Sequence, residues 1–282
     1  MKANRLGVMQ GRLLPKYQGR YQAHPVGFWQ DEFPVAASLG LELIEFIVDQ
    51  EGIVKNPLMT DAGISQVRDV MNRTGVVVSS ICADCFMAAP LHSKEKAVSD
   101  QSIANLRQLI ESAAALKIQD IVIPCVDQSS LQNSDDSDRF VAALWSVIGL
   151  AEARGINLSL ETDLNPEMFS RLLERFESRR VTVNYDIGNS ASLSYSLNEE
   201  LAAYGARITD IHIKDRKKGG ESVLLGTGDT DFDAFFDALS AINYNGPFIM
   251  QAYRDDEGVA VFQKQLDWIR PHLLSYLDLG NT

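Results

Sequence analysis

One feature constrains this chain more than any other: strict alternation of two kinds of segment. Eight short, β-branched and nearly continuous apolar runs occupy residues 6–10, 43–48, 76–82, 121–125, 156–161, 181–186, 208–214 and 248–252. Eight longer amphipathic stretches take turns with them, at 31–39, 60–74, 100–116, 138–154, 166–178, 198–204, 231–242 and 258–277. Apolar runs of that length read as strands buried on both faces. In the stretch 100–116, Ile103, Leu106, Leu109, Ile110 and Ala113 recur with the period of a helix. Strand and helix in turn require parallel strands joined by helical crossovers. The 282 residues divide into units of about 35, which suits a (β/α)8 barrel of about 250 residues. The competitor is an open, doubly wound sheet with a glycine-rich phosphate turn after its first strand. Gln10-Gly11-Arg12-Leu13 stands there instead. The expected architecture is α/β, a single (β/α)8 TIM barrel spanning residues 1–282 as one domain.

Composition narrows the function. Against 26 Lys and Arg stand 38 Asp and Glu, a net charge of −12. Such a surface repels phosphate backbones, so nucleic acid is not an expected partner. Three cysteines, Cys82, Cys85 and Cys125, make no disulfide framework and point to a reduced, cytoplasmic setting. The opening MKANRLGVMQGRLLP lacks the apolar core and cleavage site of a secretory leader. No apolar run approaches the roughly 18 residues of a membrane span, so no membrane is expected either. A homo-oligomer remains open.

The chemistry gathers at the strand ends. In a barrel of this kind the loops after the strands form the active-site face, and three are long: 12–30, 86–99 and 215–230. The polar stretch 128–138 reads as a solvated loop. Glu161, Asp186, His212 and Gln251 fall near the ends of four successive strands. One acid at a strand end is ordinarily a helix cap. A polar residue on each of four otherwise apolar strands needs partners or a metal. Two carboxylates, an imidazole and an amide oxygen suit Mn²⁺, Mg²⁺, Co²⁺ or Zn²⁺.

These residues sit within motifs that resemble the sugar phosphate isomerase/epimerase family, which has a xylose isomerase-like TIM barrel. The motifs are Gly7-Val8-Met9-Gln10-Gly11-Arg12-Leu13, LGLELIEF with Glu45, SLET, NYDIGNS, DIHIKDR, and LLGTGDTDFDAF with Gly226, Gly228 and Asp231. The resemblance covers essentially the whole chain. It implies a divalent metal on Glu161, Asp186 and His212, with a glutamate at the fourth position. This chain has Gln251 there. An amide oxygen can ligate a metal but cannot act as a base. One of the two carboxylates used for 3-epimerisation is therefore missing. The family's usual histidine just after the strand-6 Asp is also replaced, by Gly188-Asn189-Ser190.

The resemblance implies a sugar or sugar phosphate as substrate and proton transfer through a metal-stabilised enediolate. Glu161 is the expected metal-ligating base. Lys214 lies two residues beyond His212 and so shares its side of the strand. It is expected to neutralise the enediolate, protonate it, or hold a phosphate. With a single base, aldose–ketose isomerisation is favoured over inversion. Arg12 and Arg254, on neighbouring strands 1 and 8, are candidates for binding a phosphate or carboxylate. Glu45 and Asn189 are further substrate-binding candidates. The alternatives are an inosose-dehydratase-like lyase, which would give a keto product, and a catalytically weakened sugar binder. An endonuclease IV-like role is the least expected, given the charge and only four histidines. Cys82-Ala83-Asp84-Cys85 lacks the second cysteine pair of a zinc site. Gly226-Thr227-Gly228 is too short for a dinucleotide fingerprint and reads as shaping a loop before a helix capped by Asp231.

Overall fold

The computed structural model describes residues 6–254 and 258–279, so the first five residues of the opening segment lie outside it. Eight parallel strands close into a barrel: β1 Leu6–Met9, β2 Leu43–Ile47, β3 Val77–Cys82, β4 Asp120–Cys125, β5 Asn157–Thr162, β6 Val181–Asp186, β7 Ile208–Ile213 and β8 Phe248–Met250. Each pairs with its sequence neighbour, and β1 closes the ring on β8 through Leu6 opposite Phe248 and Val8 opposite Met250. The barrel expected from the alternation is the one observed.

Strand alternation divides the apolar residues into two sets. Ile44 and Phe46 of β2 join the large core between the strands and the helices. Leu43 and Ile47, on the other face of β2, form a separate cluster with Met9, Cys82 and Ile249 inside the barrel. Glu45 shares that inner face, which is why a carboxylate of β2 is fully buried. Gly7 is required in β1, since a Cβ there would lie 2.6 Å from the Leu43 Cβ.

Polar residues at the helix starts satisfy backbone donors that the first turn leaves free. Thr60, Asn133, Asn165, Asp186, Ser196 and Asp231 each accept a hydrogen bond from a backbone N–H of the following turn. Asn133 corrects one expectation. The helix Ser134–Arg154 begins inside the stretch 128–138 expected as a solvated loop, and Ser129, Ser130 and Leu131 before it are buried. The 215–230 loop also holds structure that apolar patterning does not reveal, an antiparallel pair of Asp215–Arg216 with Ser222–Val223. Asp215 is buried and accepts N–H donors from Gly226, Gly228 and Thr230 at 3.0, 2.8 and 3.2 Å. A Cβ on Gly228 would lie 1.9 Å from the Asp215 carboxylate, so the glycines let the loop wrap around this acid. Among the described residues no helix is long and apolar enough to cross a membrane.

Candidate active site

A cavity of about 660 Å³ opens at the ends of the strands. Its size is that of a small-molecule site. Residues of all three long loops reach it, among them Gln22, Met87 and Arg216, and Glu161, Asn189, Lys214 and Gln251 line it. The Ala83–Asp84 turn after β3 places the Asp84 carboxylate in the same wall.

Asp186 ends β6 and caps the helix Ile187–Leu193, accepting from the Asn189 backbone N–H at 2.8 Å. The cap fixes one carboxylate oxygen and leaves the other, Oδ2, facing His212 and Lys214. His212 Nδ1 lies 4.0 Å from that oxygen and 3.8 Å from Glu161 Oε2. One donor atom each from Glu161, Asp186 and His212 thus falls within a sphere of 4.8 Å separation. Donors around a divalent ion with bonds of about 2.1 Å stand about 3 to 3.5 Å apart, so the three side chains would draw together on binding one.

Hydrogen bonds on the far side of the imidazole favour this use. His212 Nε2 meets Glu45 Oε1 at 2.8 Å, and Glu45 Oε2 accepts from Ser80 Oγ at 2.6 Å. With Nε2 held by a carboxylate, the imidazole turns its Nδ1 toward Glu161 and Asp186, where it would exchange a proton for a cation, the usual arrangement behind a metal-ligating histidine. The Asn184 amide nitrogen stands 3.1 Å from Nδ1 and 3.3 Å from Glu161 Oε2, aligning both. Burial opposes protonation of His212, but Glu45, Glu161 and Asp186 outweigh it and raise its pKa to about 10. Burial pushes Glu161 up to about 7 against the pull of His212, and the Asp186 charge adds to the rise. Without a cation between them, these groups are held together by shared protons.

Asn189 organises the opposite wall. Its Nδ2 donates to Glu161 Oε1 at 2.8 Å, and its Oδ1 accepts from Lys214 Nζ at 3.2 Å and Arg216 Nη1 at 2.9 Å. Lys214 also reaches Asp186 Oδ2 at 3.2 Å. Gly188 allows this approach, since a Cβ there would fall 2.9 Å from Lys214 Cγ.

Gln251 is oriented from the first loop. Gln22 Oε1 accepts from Gln251 Nε2 and from Arg12 Nη2, each at 2.9 Å, while Gln22 Nε2 donates to Asp84 Oδ2 at 3.3 Å. Arg12 has only hydrogens to offer, so it fixes which end of Gln22 is the acceptor. That in turn fixes Gln251, whose Oε1 is buried without a hydrogen-bond partner among the described residues. An unpartnered buried carbonyl oxygen suits a cation or a substrate hydroxyl.

Glu161, Asp186 and His212 therefore converge, and Gln251, Lys214 and Asn189 line the same cavity as Glu161. Three other candidates are placed differently. Glu45 is fully buried behind His212. Arg12 and Arg254 stand behind the cavity wall. Arg12 reaches Gln22, and Arg254 reaches the Leu14 carbonyl and lies 4.6 Å over the Tyr21 ring. The cations that do line the cavity are Arg20, Lys214 and Arg216. Arg216 was within the DIHIKDR motif, and Asp84 stood between the two cysteines of a motif judged only as a zinc site. Gln22 carries no sequence signal, being one polar residue in a long loop. Burial pushes the thiols of Cys82, Cys85 and Cys125 up, which leaves no ready nucleophile among them.

Comparison with known proteins agrees with the fold. The L-ribulose-5-phosphate 3-epimerase UlaE of Escherichia coli O1:K1 / APEC is 26% identical over 264 residues, covering 89% of this chain and 93% of the relative. The crystal structure of 3-keto-D-glucoside 4-epimerase, YcjR, from E. coli has a TM-score of 0.74 at 17% identity, covering 95% of this chain and 99% of that one. The IOLI protein with a binding zinc atom has a TM-score of 0.74 at 14% identity, covering 97% and 98%. At those identities the two structures speak for the fold. The family described as xylose isomerase-like TIM barrel matches residues 33–272, and the chain belongs to it.

Proposed function

We propose that the protein is a divalent-metal-dependent sugar epimerase, acting by proton transfer at a carbon beside the sugar carbonyl. The observation that carries this reading is the convergence of Glu161, Asp186 and His212, the first of which lines the cavity. The sugar-epimerase names of its relatives support it.

A divalent cation held by these three side chains, with Gln251 Oε1 as a further donor, would supply Lewis acidity toward the carbonyl and the neighbouring hydroxyl. Glu161 removes the proton. Burial keeps its pKa near neutrality, where a carboxylate can take a proton and give it back. Asn189 holds the carboxylate in place through Oε1. Lys214, at the same wall, neutralises the charge that develops on the substrate oxygen as the enediolate forms. Glu45 and Asn184 keep His212 from turning. Single-face isomerisation between C1 and C2 is the second reading, favoured by the replacement of a carboxylate by Gln251.

The lining charges favour an uncharged sugar over a sugar phosphate. Asp49, Glu51, Asp84, Asp127, Glu161 and Asp163 face the cavity against Arg20, Lys214 and Arg216. Arg20 is already paired with Asp49 and Lys214 with Asp186. A phosphate dianion would have to compete for both.

The test is turnover of ketoses in D₂O. Chelation should abolish deuterium uptake at the carbon beside the carbonyl, and Mn²⁺ or Co²⁺ should restore it. Glu161→Gln should lower it by about 10²- to 10⁴-fold. A Glu161→Gln protein with full turnover would contradict the proposal.

A further inference from the structure

We infer that Asp84 supplies the second acid–base group of this site, in place of the carboxylate that Gln251 does not provide. The inference rests on the epimerase reading above. Inversion at carbon requires a proton to leave one face and another to arrive on the opposite face. Glu161 serves one face, and an amide at position 251 cannot titrate.

Among the carboxylates that line the cavity, most are committed or peripheral. Asp49 pairs with Arg20 and accepts from the His24 backbone N–H at 2.7 Å. Glu51 and Asp127 lie exposed at the rim. Asp163 also has an uncharged partner, Ser130 Oγ at 2.6 Å, but it directly follows the strand that carries Glu161 and so offers no second direction. Asp84 differs from all of these. It lies deep in the cavity, and its partners are the Cys82 thiol, 3.1 Å from Oδ1, and the Gln22 amide, 3.3 Å from Oδ2. Neither carries a charge, and among the described residues Asp84 makes no ion pair. Its carboxyl is free to change protonation state without breaking a salt bridge.

Gln22 ties this carboxyl to the altered position. One end of its amide accepts from Gln251 and the other donates to Asp84. The missing carboxylate of strand 8 and the unpaired carboxyl beyond β3 are thus one side chain apart. Glu161 stands next to the last residue of β5 and Asp84 follows β3, with β4 between them, so the two carboxyls line the cavity from different strands. Burial first, and nearby acids after it, raise the Asp84 pKa.

The step balances. Glu161 takes the proton from the carbon beside the carbonyl. The C–H electron pair becomes the C=C bond of the enediolate, and the carbonyl π pair moves to oxygen. The Asp84 carboxyl then gives its proton to the same carbon from the other face. The C=C pair forms the new C–H bond and the oxygen pair restores the carbonyl. Glu161 ends protonated and Asp84 ionised, and exchange with water resets both. The reverse reaction uses the same groups in exchanged roles.

The experiment follows L-ribulose and D-fructose in D₂O with Mn²⁺, reading inversion at C3 by chromatography and deuterium at C3 by mass spectrometry. The wild type should give the inverted sugar carrying deuterium. Asp84→Asn should lose inversion by at least about 100-fold, the scale of one acid–base group. It should still wash deuterium into the unreacted sugar within about tenfold of wild type, because Glu161 keeps working on its own face, and it should bind Mn²⁺ as before. The double variant Asp84→Asn with Gln251→Glu should regain inversion. Inversion retained by Asp84→Asn overturns the assignment, as does loss of exchange and inversion together with unchanged Mn²⁺ binding. A wild type that exchanges no proton on either sugar overturns the epimerase reading and this inference with it.

Discussion

Glu45→Gln removes one charge, and no heavy atom, from behind His212. Both side chains are fully buried and their contact is 2.8 Å, so solvent does not screen the loss. A glutamine can still accept from Nε2 through its carbonyl oxygen and donate to Ser80 through its amide. The geometry survives while the charge assistance is lost. Hydrogen bonds to charged groups contribute about 1.5–3 kcal/mol and neutral ones about 0.5–1.5, a difference of about 1–2 kcal/mol. If Glu45 acts by keeping Nδ1 ready for a cation, that difference appears as a loss of about 5- to 30-fold in Mn²⁺ affinity, near the low end for partners behind a metal ligand. Isothermal titration with Mn²⁺ reads it directly, and melting of the metal-free protein controls for the fold. Unchanged Mn²⁺ affinity in a folded Glu45→Gln protein would refute the role given to Glu45.

Three further outcomes are expected. Burial lowers the pKa of His24 to about 4 from an ordinary 6.5, so the unfolded chain binds a proton there before the folded one does. The associated stability is fully present above pH 6.5 and is lost as pH falls toward 4. The linkage amounts to about 2–3 kcal/mol by pH 4.5, and urea titrations at pH 7 and 4.5 should show it in the wild type but not in His24→Gln. Gly188→Ala brings a methyl within 2.9 Å of Lys214 Cγ and 3.0 Å of its carbonyl. It should cost about 1–3 kcal/mol in urea unfolding, and an unchanged midpoint would show that the helix after β6 has slack. Finally, unphosphorylated ketoses should exchange their proton at least about tenfold faster than their phosphates at equal concentration. The reverse preference would contradict the reading of the lining charges.

The barrel was legible because it is written redundantly, in eight apolar runs and eight helical stretches, and β6 Val181–Asp186 lies where its run ends. The Glu161, Asp186 and His212 set was legible for a related reason: each is a polar residue at or next to the end of a strand, and strand ends converge in a closed ring. What escaped depends on side chains reaching across loops. Gln22 has no neighbours that mark it, yet it orients Gln251. Arg12 and Arg254 were expected in the mouth from their position after strands 1 and 8, but at that range a long side chain can turn behind the wall, as both do. With those two arginines turned away, the carboxylates in the lining outnumber its cations. The helix Ile187–Leu193 was missed because its IGNSASL sequence has weak helix propensity. Its signal was Asp186 three residues before Asn189, a cap that is also a ligand candidate.

The most direct test is anomalous diffraction from crystals soaked in Mn²⁺. One ion per chain is predicted, bonded to a carboxylate oxygen of Glu161, a carboxylate oxygen of Asp186 and Nδ1 of His212. Saturating Mn²⁺ with no peak there, or a peak only elsewhere, would contradict the account.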